Sequence, residues 1–177
     1  MRSPAPALCL LLLACVSPHG GQVLAPAADA VAYPVYAAAI ADLYSVFRHG
    51  QPPVLDPLTT GLSSDRLKYI GQTSVPREFG AAFSDFLLVN RTRVHIASSP
   101  LLPAGVTVGA TVAPYNGARA CLAGEVSQVG FSPDSTRAVV YAGVDCSYDT
   151  GIGELYLLLR ESTGRWVISG RRDVWSM

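Results

Sequence analysis

Three side chains in the middle of the chain, Arg91, Arg93 and His95, have the chemistry and spacing to face an anion. Residues 91–96 alternate polar and apolar types, which is typical of a half-buried strand. The strand puts two guanidinium groups and an imidazole on one face, and these groups bind carboxylates or phosphates. The solvent-exposed face of a strand is often polar without binding a ligand. These three residues are therefore a candidate anion-facing row, with a solvated strand face as the alternative.

The four cysteines fall into two groups. Cys9 and Cys15 lie in the apolar N-terminal segment, whereas Cys121 and Cys146 lie in the body of the chain. In an oxidising compartment, a disulfide is the expected state of such a pair. No C-x-x-C motif is present, so thioredoxin-like chemistry has no support.

The turn Ser132–Ser135 predicts how this pair is placed, because its central residues are proline and aspartate. A two-residue turn pairs Ser132 with Ser135, and the same ladder sets Cys121 directly opposite Cys146. A three-residue turn shifts the register by one and leaves the two cysteines diagonal. Both arrangements lie within reach of a disulfide.

Other motifs that would carry chemistry are missing from the sequence. The run 145–149 alternates oxygen ligands as a calcium loop does, but Thr150 and Tyr156 stand where an EF-hand needs glycine and glutamate. Nucleophile-elbow, zinc-protease and phosphate-loop motifs are not found. We therefore predict no metal and no cofactor, and the sequence leans away from an enzyme.

Composition excludes some partners. Half of the 177 residues are apolar, which supplies ample material for a core. The 13 basic residues are balanced by 13 acidic ones. Nucleic-acid binding depends on a basic excess that neutralises phosphates, so we predict no nucleic-acid partner.

The N-terminus is typical of export. One arginine precedes an apolar run that is too short to span a bilayer. Residues 12–15 (Leu-Leu-Ala-Cys) resemble a bacterial lipobox, which predicts a signal peptide over 1–14 and lipidation of Cys15. Cleavage after Ala27 is the alternative and gives a secreted or periplasmic protein. Residues 15–32 are predicted as a flexible tether and 33–177 as a single domain.

The periodicity of residues 33–177 predicts an α+β fold. Helices are expected over 33–47 and 76–89. Strands are expected over 91–96, 106–108, 125–131, 136–145, 154–160 and 166–168, the last with a longer alternative that ends at 175. An edge strand or irregular segment is expected at 54–60 because of Pro57. Helices followed by hairpin-linked strands predict N-terminal helices packed on one face of a mostly antiparallel C-terminal β-meander.

Two strands of this meander are apolar on both faces, namely residues 138–142 and 155–159. In a sheet with one solvent-exposed face, each strand should alternate polar and apolar residues. Because these two strands do not alternate, we expect the second face of the sheet to be covered as well. The candidates are the loop 97–118, a partner subunit or the wall of an apolar pocket.

Several segments resemble an uncharacterised family of bacterial exported proteins. They are 83–86 (Phe-Ser-Asp-Phe) with Asn90, 127–131 (Ser-Gln-Val-Gly-Phe), 138–141 (Ala-Val-Val-Tyr), 156–159 (Tyr-Leu-Leu-Leu) and 164–168 (Gly-Arg-Trp-Val-Ile). The last strand is also similar to SnoaL-like, NTF2-type domains. That resemblance implies a cystatin- or NTF2-like arrangement, a fold that often encloses a pocket.

Two functions follow from these observations. The first is a non-catalytic cell-envelope protein that binds a protein partner, or itself, through the second face of the sheet. The alternative is an NTF2-like pocket domain that holds or acts on a small apolar molecule. In either case the membrane is reached only through a lipid anchor.

Overall fold

The computed structural model describes residues 27–46, 54–62, 69–109, 123–147 and 150–176. Two helices pack on a seven-stranded sheet, which confirms the α+β class. Helix α1 spans Tyr33–Val46 and helix α2 spans Gly80–Val89. The strands are β1 (Val54–Leu55), β2 (Thr107–Val108), β3 (Ala123–Val126), β4 (Gly130–Phe131), β5 (Arg137–Ser147), β6 (Thr150–Arg160) and β7 (Trp166–Ser176).

The sheet is mixed. Its order is β2-β1-β3-β5-β6-β7, and β4 pairs with β5 beside β3. Strand β1 runs parallel to both of its neighbours, while the other pairs are antiparallel. Of the two alternatives predicted for 54–60, the edge strand is wrong because β1 lies between β2 and β3. Residues 56–60 lie outside any named strand, as the irregular-segment alternative predicts. Pro57 does end the strand early, since it cannot donate to a ladder.

The long strands β5, β6 and β7 form the expected meander. The turn from β6 to β7 is closed by the Gly164 N–H, which donates to the Glu161 carbonyl at 2.8 Å. Gly164 has φ 86°, a conformation that glycine adopts without steric cost. A tight turn with glycine at the position of positive φ therefore joins β6 to β7.

The turn between β4 and β5 is longer than a two-residue turn. The Ser135 N–H donates to the Ser132 carbonyl at 2.8 Å, so Pro133 and Asp134 are central residues as predicted. Ser132 then pairs with Arg137 and not with Ser135. Four residues thus lie in the loop, and Ser135 takes a left-handed φ of 53° to close it.

The carboxylate of Asp134 organises this loop. It accepts a hydrogen bond from the Ser132 hydroxyl at 2.6 Å and one from the Thr136 N–H at 3.1 Å. These bonds, the Ser132 bond first, lower the pKa of Asp134 from 3.8 to about 2. The side chain is exposed, so solvent screens its interactions.

We expect the Asp134 carboxyl to titrate near 2, measured by carbon NMR of the folded protein. Because folding lowers this pKa, the ionised form stabilises the fold above the unfolded value of 3.8, and that stabilisation is lost as the pH falls towards 2. The stability difference from an Asp134→Asn variant should shrink over this window. A difference that stays constant over the window would contradict the role of the charge.

The side chains of α1 cover one face of the sheet. Even-numbered residues of β5 and β6 point to this side. The cluster joins Val35, Tyr36, Ala39, Ile40 and Leu43 of α1 to Ala138, Val140, Ala142, Val144, Tyr156 and Leu158 of the sheet.

The second face is covered by α2 together with the two 3-10 turns that precede it, Ile70–Gln72 and Arg77–Phe79. Odd-numbered residues of the same strands, Val139, Tyr141, Leu155 and Leu157, pack against Phe79, Ala82 and Phe86. Full burial contributes roughly 1.5–3 kcal/mol for a side chain such as Phe86. The two helices therefore lie on opposite faces, and the prediction that both lie on one face is wrong. The double-sided apolar strands are explained by a helix on each side.

The loop that was expected to cover the second face lies elsewhere. Within its described part, 97–109, Leu102, Val106 and Val108 pack into the α1-side cluster. The second face is filled instead by α2 and by Ile70 and Phe79, which precede it. The prediction for this loop is therefore wrong over the described residues.

The described structure includes the end of the predicted tether. Asp29 accepts from the Val31 N–H and begins a 3-10 turn at Ala30–Ala32, and Ala32 is buried. The Ala28 N–H donates to the His95 carbonyl at 2.6 Å. Residues 27–32 are thus attached to the domain. Over the described ranges, none of the helices has the length and apolar character to cross a membrane.

Candidate functional site

The candidate anion-facing row does not form a strand in the structure. Arg91 lies in the turn that follows α2, and its N–H donates to the Leu88 carbonyl. The Arg93 Nε donates to the Thr59 carbonyl at 2.6 Å, so this guanidinium holds the segment after β1. His95 forms only isolated bridges, to Ala27 and to Leu58. Val94 and Ile96 are buried as the alternation predicted, but the strand over 91–96 is wrong because the helix turn continues through Thr92.

The cysteine sites fall largely outside the described residues. Cys15 and Cys121 are not described, and for Cys146 only the backbone is. Gly124 lies opposite Val144, one residue away from the partner that the two-residue turn predicts. The offset equals that of the three-residue alternative, but both predicted turn lengths are wrong because the loop holds four residues. The break at 127–129 changes the register by one between β4 and β3. The lipidation of Cys15 and the disulfide of Cys121 with Cys146 stay predictions.

The C-terminal end of α2 is attached to the sheet by one amide. Asn90 is 1% exposed and donates from Nδ2 to the Phe86 carbonyl at 2.9 Å and to the Gln128 carbonyl at 3.0 Å. Its Oδ1 accepts from the Gln128 N–H at 2.8 Å. Asn90 is the C-terminal cap of α2. It also links the helix to the segment between β3 and β4.

The middle of α2 lies directly on β4. A Cβ built at Gly130 would come closer than 3.0 Å to backbone atoms of Ala82 and Phe86. Beside Phe86 in the same helix, the Asp85 carboxylate accepts a hydrogen bond from the Phe131 N–H at 2.8 Å. Only glycine permits this approach, so Gly130 sets the distance between helix and sheet.

The segments that resemble exported proteins meet in this contact. Residues 83–86 and Asn90 supply the helix side, and residues 127–131 supply the sheet side. Their polar groups bond to one another and to backbone. The main task of these residues is therefore to dock α2.

A pocket of about 210 Å³ opens at the edge of this contact. It lies where the N-terminal 3-10 turn, α2, Val94 and β4 come together. Its wall is apolar apart from Asp29, Asp85 and Gln128; the apolar members are Ala28, Val31, Ala32, Tyr36, Val89, Val94, Val129 and Phe131. A concave apolar surface with a few polar groups is the usual form of a small-molecule site.

Comparisons with known proteins found no match. Neither protein-family models, nor curated proteins, nor solved structures gave one. The resemblance to exported proteins and the one to NTF2-type domains therefore stay predictions, and the site is argued from its own geometry.

A second polar cluster ties α1 to the meander. Glu154 is 7% exposed and accepts from the Tyr156 hydroxyl at 2.6 Å. Arg171 lies 4.0 Å from Glu154 and 3.1 Å from Asp42 of α1. Burial, and then the bond to Glu154, raises the pKa of Tyr156, so the phenol stays protonated. The cluster neutralises a buried carboxylate and holds helix to strand.

A third cluster lies on the opposite face. Glu125 accepts from the Thr60 hydroxyl at 2.9 Å and from the Tyr141 hydroxyl at 2.5 Å. The Tyr141 oxygen also accepts from the Trp175 Nε1 at 2.7 Å. A Cβ at Gly153 would come closer than 3.0 Å to both rings' polar atoms, so this glycine makes room for the pair. The network links β3, β5 and β7.

Both glutamate–tyrosine clusters were missed by sequence reasoning. The signal available was a tyrosine inside each doubly apolar strand, Tyr141 and Tyr156, since a buried phenol needs a hydrogen-bond partner. The Tyr141 hydroxyl donates to Glu125, and the Tyr156 hydroxyl donates to Glu154. The described ranges contain no group of three potential ligands that could hold a metal ion. The pocket is therefore the candidate site.

Proposed function

We propose that this chain is an exported, non-catalytic binding domain whose binding site is the pocket between the N-terminal 3-10 turn, α2 and β4. The observation that carries the proposal is the concave apolar pocket of about 210 Å³ itself. Its walls are joined by hydrogen bonds within the protein, from α2 to residues 128–131 and from Ala28 to His95, so the ligand would enter a site that the fold has already formed.

The position of α2 moves the proposed binding surface away from the sheet. A partner on the second face would need the area over Val139, Tyr141, Leu155 and Leu157. That area is already covered by α2 and by the residues that precede it, Ile70 and Phe79. A partner protein stays part of the proposal only at the pocket rim, where Val31 is 59% exposed. Of the two functions that the sequence favoured, the pocket for a small molecule has the better support.

Binding is proposed in preference to catalysis because of how the pocket's carboxylates are used. Asp85 holds the Phe131 N–H and Asp29 holds the Val31 N–H. Carboxylates that accept from backbone N–H groups are held in fixed positions, which suits recognition of a ligand.

A titration of small aliphatic compounds, followed by proton–nitrogen NMR, tests the pocket. Shift changes should concentrate at 28–32, Val89 and 128–131. Ala28→Phe fills the pocket and should abolish them. Ala41→Phe, on the exposed side of α1, is the matched control and should leave them unchanged. Shifts that map to another surface, or that survive Ala28→Phe, would refute the proposed site.

The cellular location is proposed from the N-terminal sequence. We expect Cys15→Ser to release the protein from the membrane fraction and to remove lipid labelling, because the thioether that carries the lipid cannot form. The domain should remain folded. A mature N-terminus at Ala28, measured by mass spectrometry, would replace the lipoprotein by the secreted or periplasmic form.

A further inference from the structure

The charge of the pocket points to the chemical class of its ligand, an inference that rests on the proposed function. Two carboxylates, Asp29 and Asp85, line the same small space. Over the described ranges, neither makes an ion pair with a basic side chain. The pocket therefore carries negative charge that its own walls do not balance.

Each carboxylate also keeps an oxygen available. Asp85 uses Oδ2 for the Phe131 N–H at 2.8 Å, and Asp29 uses Oδ1 for the Val31 N–H at 3.1 Å. Within the part of the chain that the structure describes, the second oxygen of each makes no hydrogen bond to protein. Two charged acceptors are thus left for a donor that comes from outside.

The third polar residue adds another acceptor. The Gln128 Nε2 donates to the Val89 carbonyl at 2.7 Å and to the Thr92 carbonyl at 2.8 Å. Its amide hydrogens are used, so the group left to a ligand is the carbonyl oxygen. Tyr36 and Phe131 also line the pocket, and aromatic side chains can attract cations.

The size of the pocket limits the ligand. A volume of about 210 Å³ is below the ~300–1,000 Å³ of sites for drug-sized molecules. A ligand with a few carbon atoms fits this space. An ammonium group carries one positive charge and three donors, which match an acceptor-rich, anionic pocket.

We propose that the pocket binds a small primary alkylammonium compound. The ammonium group contacts the carboxylates of Asp29 and Asp85, and the short stem packs on the valine side chains of the wall. Recognition is by charge and by donors, so a neutral or anionic molecule of the same shape binds more weakly.

The test uses the purified protein and three probes of equal stem length: n-butylammonium, n-butanol and butyrate. NMR titration should give the order butylammonium, then butanol, then butyrate, with the first weakened by added salt. Asp85→Asn keeps an oxygen for the Phe131 N–H and should weaken butylammonium by about fivefold or more, since a charge-assisted bond is lost. Asp29→Asn should act in the same direction. Asp173→Asn, on the exposed part of β7, should change nothing.

The outcomes separate the two proposals. Equal binding of butanol and butylammonium at residues 28–32 and 128–131 would overturn the alkylammonium proposal and leave the pocket as the binding site. Butylammonium affinity that is unchanged in both Asp29→Asn and Asp85→Asn would also overturn it. Absence of shifts at these residues with all three probes would overturn the proposed function itself.

Discussion

Gly130→Ala is expected to destabilise the protein by about 3 kcal/mol or more, because its new methyl group meets backbone and not a movable side chain. The Cβ would lie closer than 3.0 Å to the Phe86 N and Cα and to the Ala82 carbonyl. Helix α2 must move away from β4, which also separates the Asp85 carboxylate from the Phe131 N–H. Urea denaturation measures the loss.

The matched control is Gly80→Ala at the start of the same helix. A Cβ at Gly80 meets nothing within 4 Å. Alanine has the higher helix propensity, so this variant should be neutral or more stable by up to about 1 kcal/mol. A Gly130→Ala protein that unfolds within about 1 kcal/mol of wild type would show that helix and sheet do not approach as closely as described.

The second large effect is expected from Asn90→Ala. The side chain makes three hydrogen bonds to Phe86 and Gln128, and it is 1% exposed. Alanine removes all three bonds and leaves the part-buried Gln128 N–H without this acceptor, and the loss should be about 2–3 kcal/mol. The urea midpoint should fall while the denaturant slope stays the same.

Ser84→Ala is the control for this prediction. The Ser84 hydroxyl also donates to a carbonyl of its own helix, that of Gly80, but it is exposed. Water replaces such a bond, so the change should lie within about 0.5 kcal/mol of wild type. If Asn90→Ala were as mild as Ser84→Ala, the amide would not be the attachment of α2.

The elements were predictable where local pattern decides them. Helices α1 and α2 follow from apolar spacing, and the turn at Gly164 follows from a glycine requirement at positive φ. The arrangement of helices and sheet in layers could be predicted from the sequence only in part. Strands that are apolar on both faces show that both faces are covered, but this pattern does not say by which segment.

The rest depends on distances that no local pattern encodes. The register between β3 and β5 is set by the Asp134 loop and by the break at 127–129. The strand predicted at Arg91 does not form, because the residues at its start belong to the turn that follows α2. The pocket joins Asp29, Asp85 and residues 128–131, which are far apart in sequence, so only the fold brings them together.

The proposed position of the binding site depends most on the packing of α2 against the second face of the sheet, because this packing leaves the pocket as the available binding surface. Nuclear Overhauser contacts in the purified protein measure it most directly. We predict strong contacts between the Gly130 Hα protons and the backbone and side chain of Phe86. A soluble paramagnetic agent should leave Val139 and Leu157 unbroadened. If these contacts were absent and the Val139 and Leu157 signals were broadened, α2 would not cover the second face of the sheet. That face would then be the proposed binding surface.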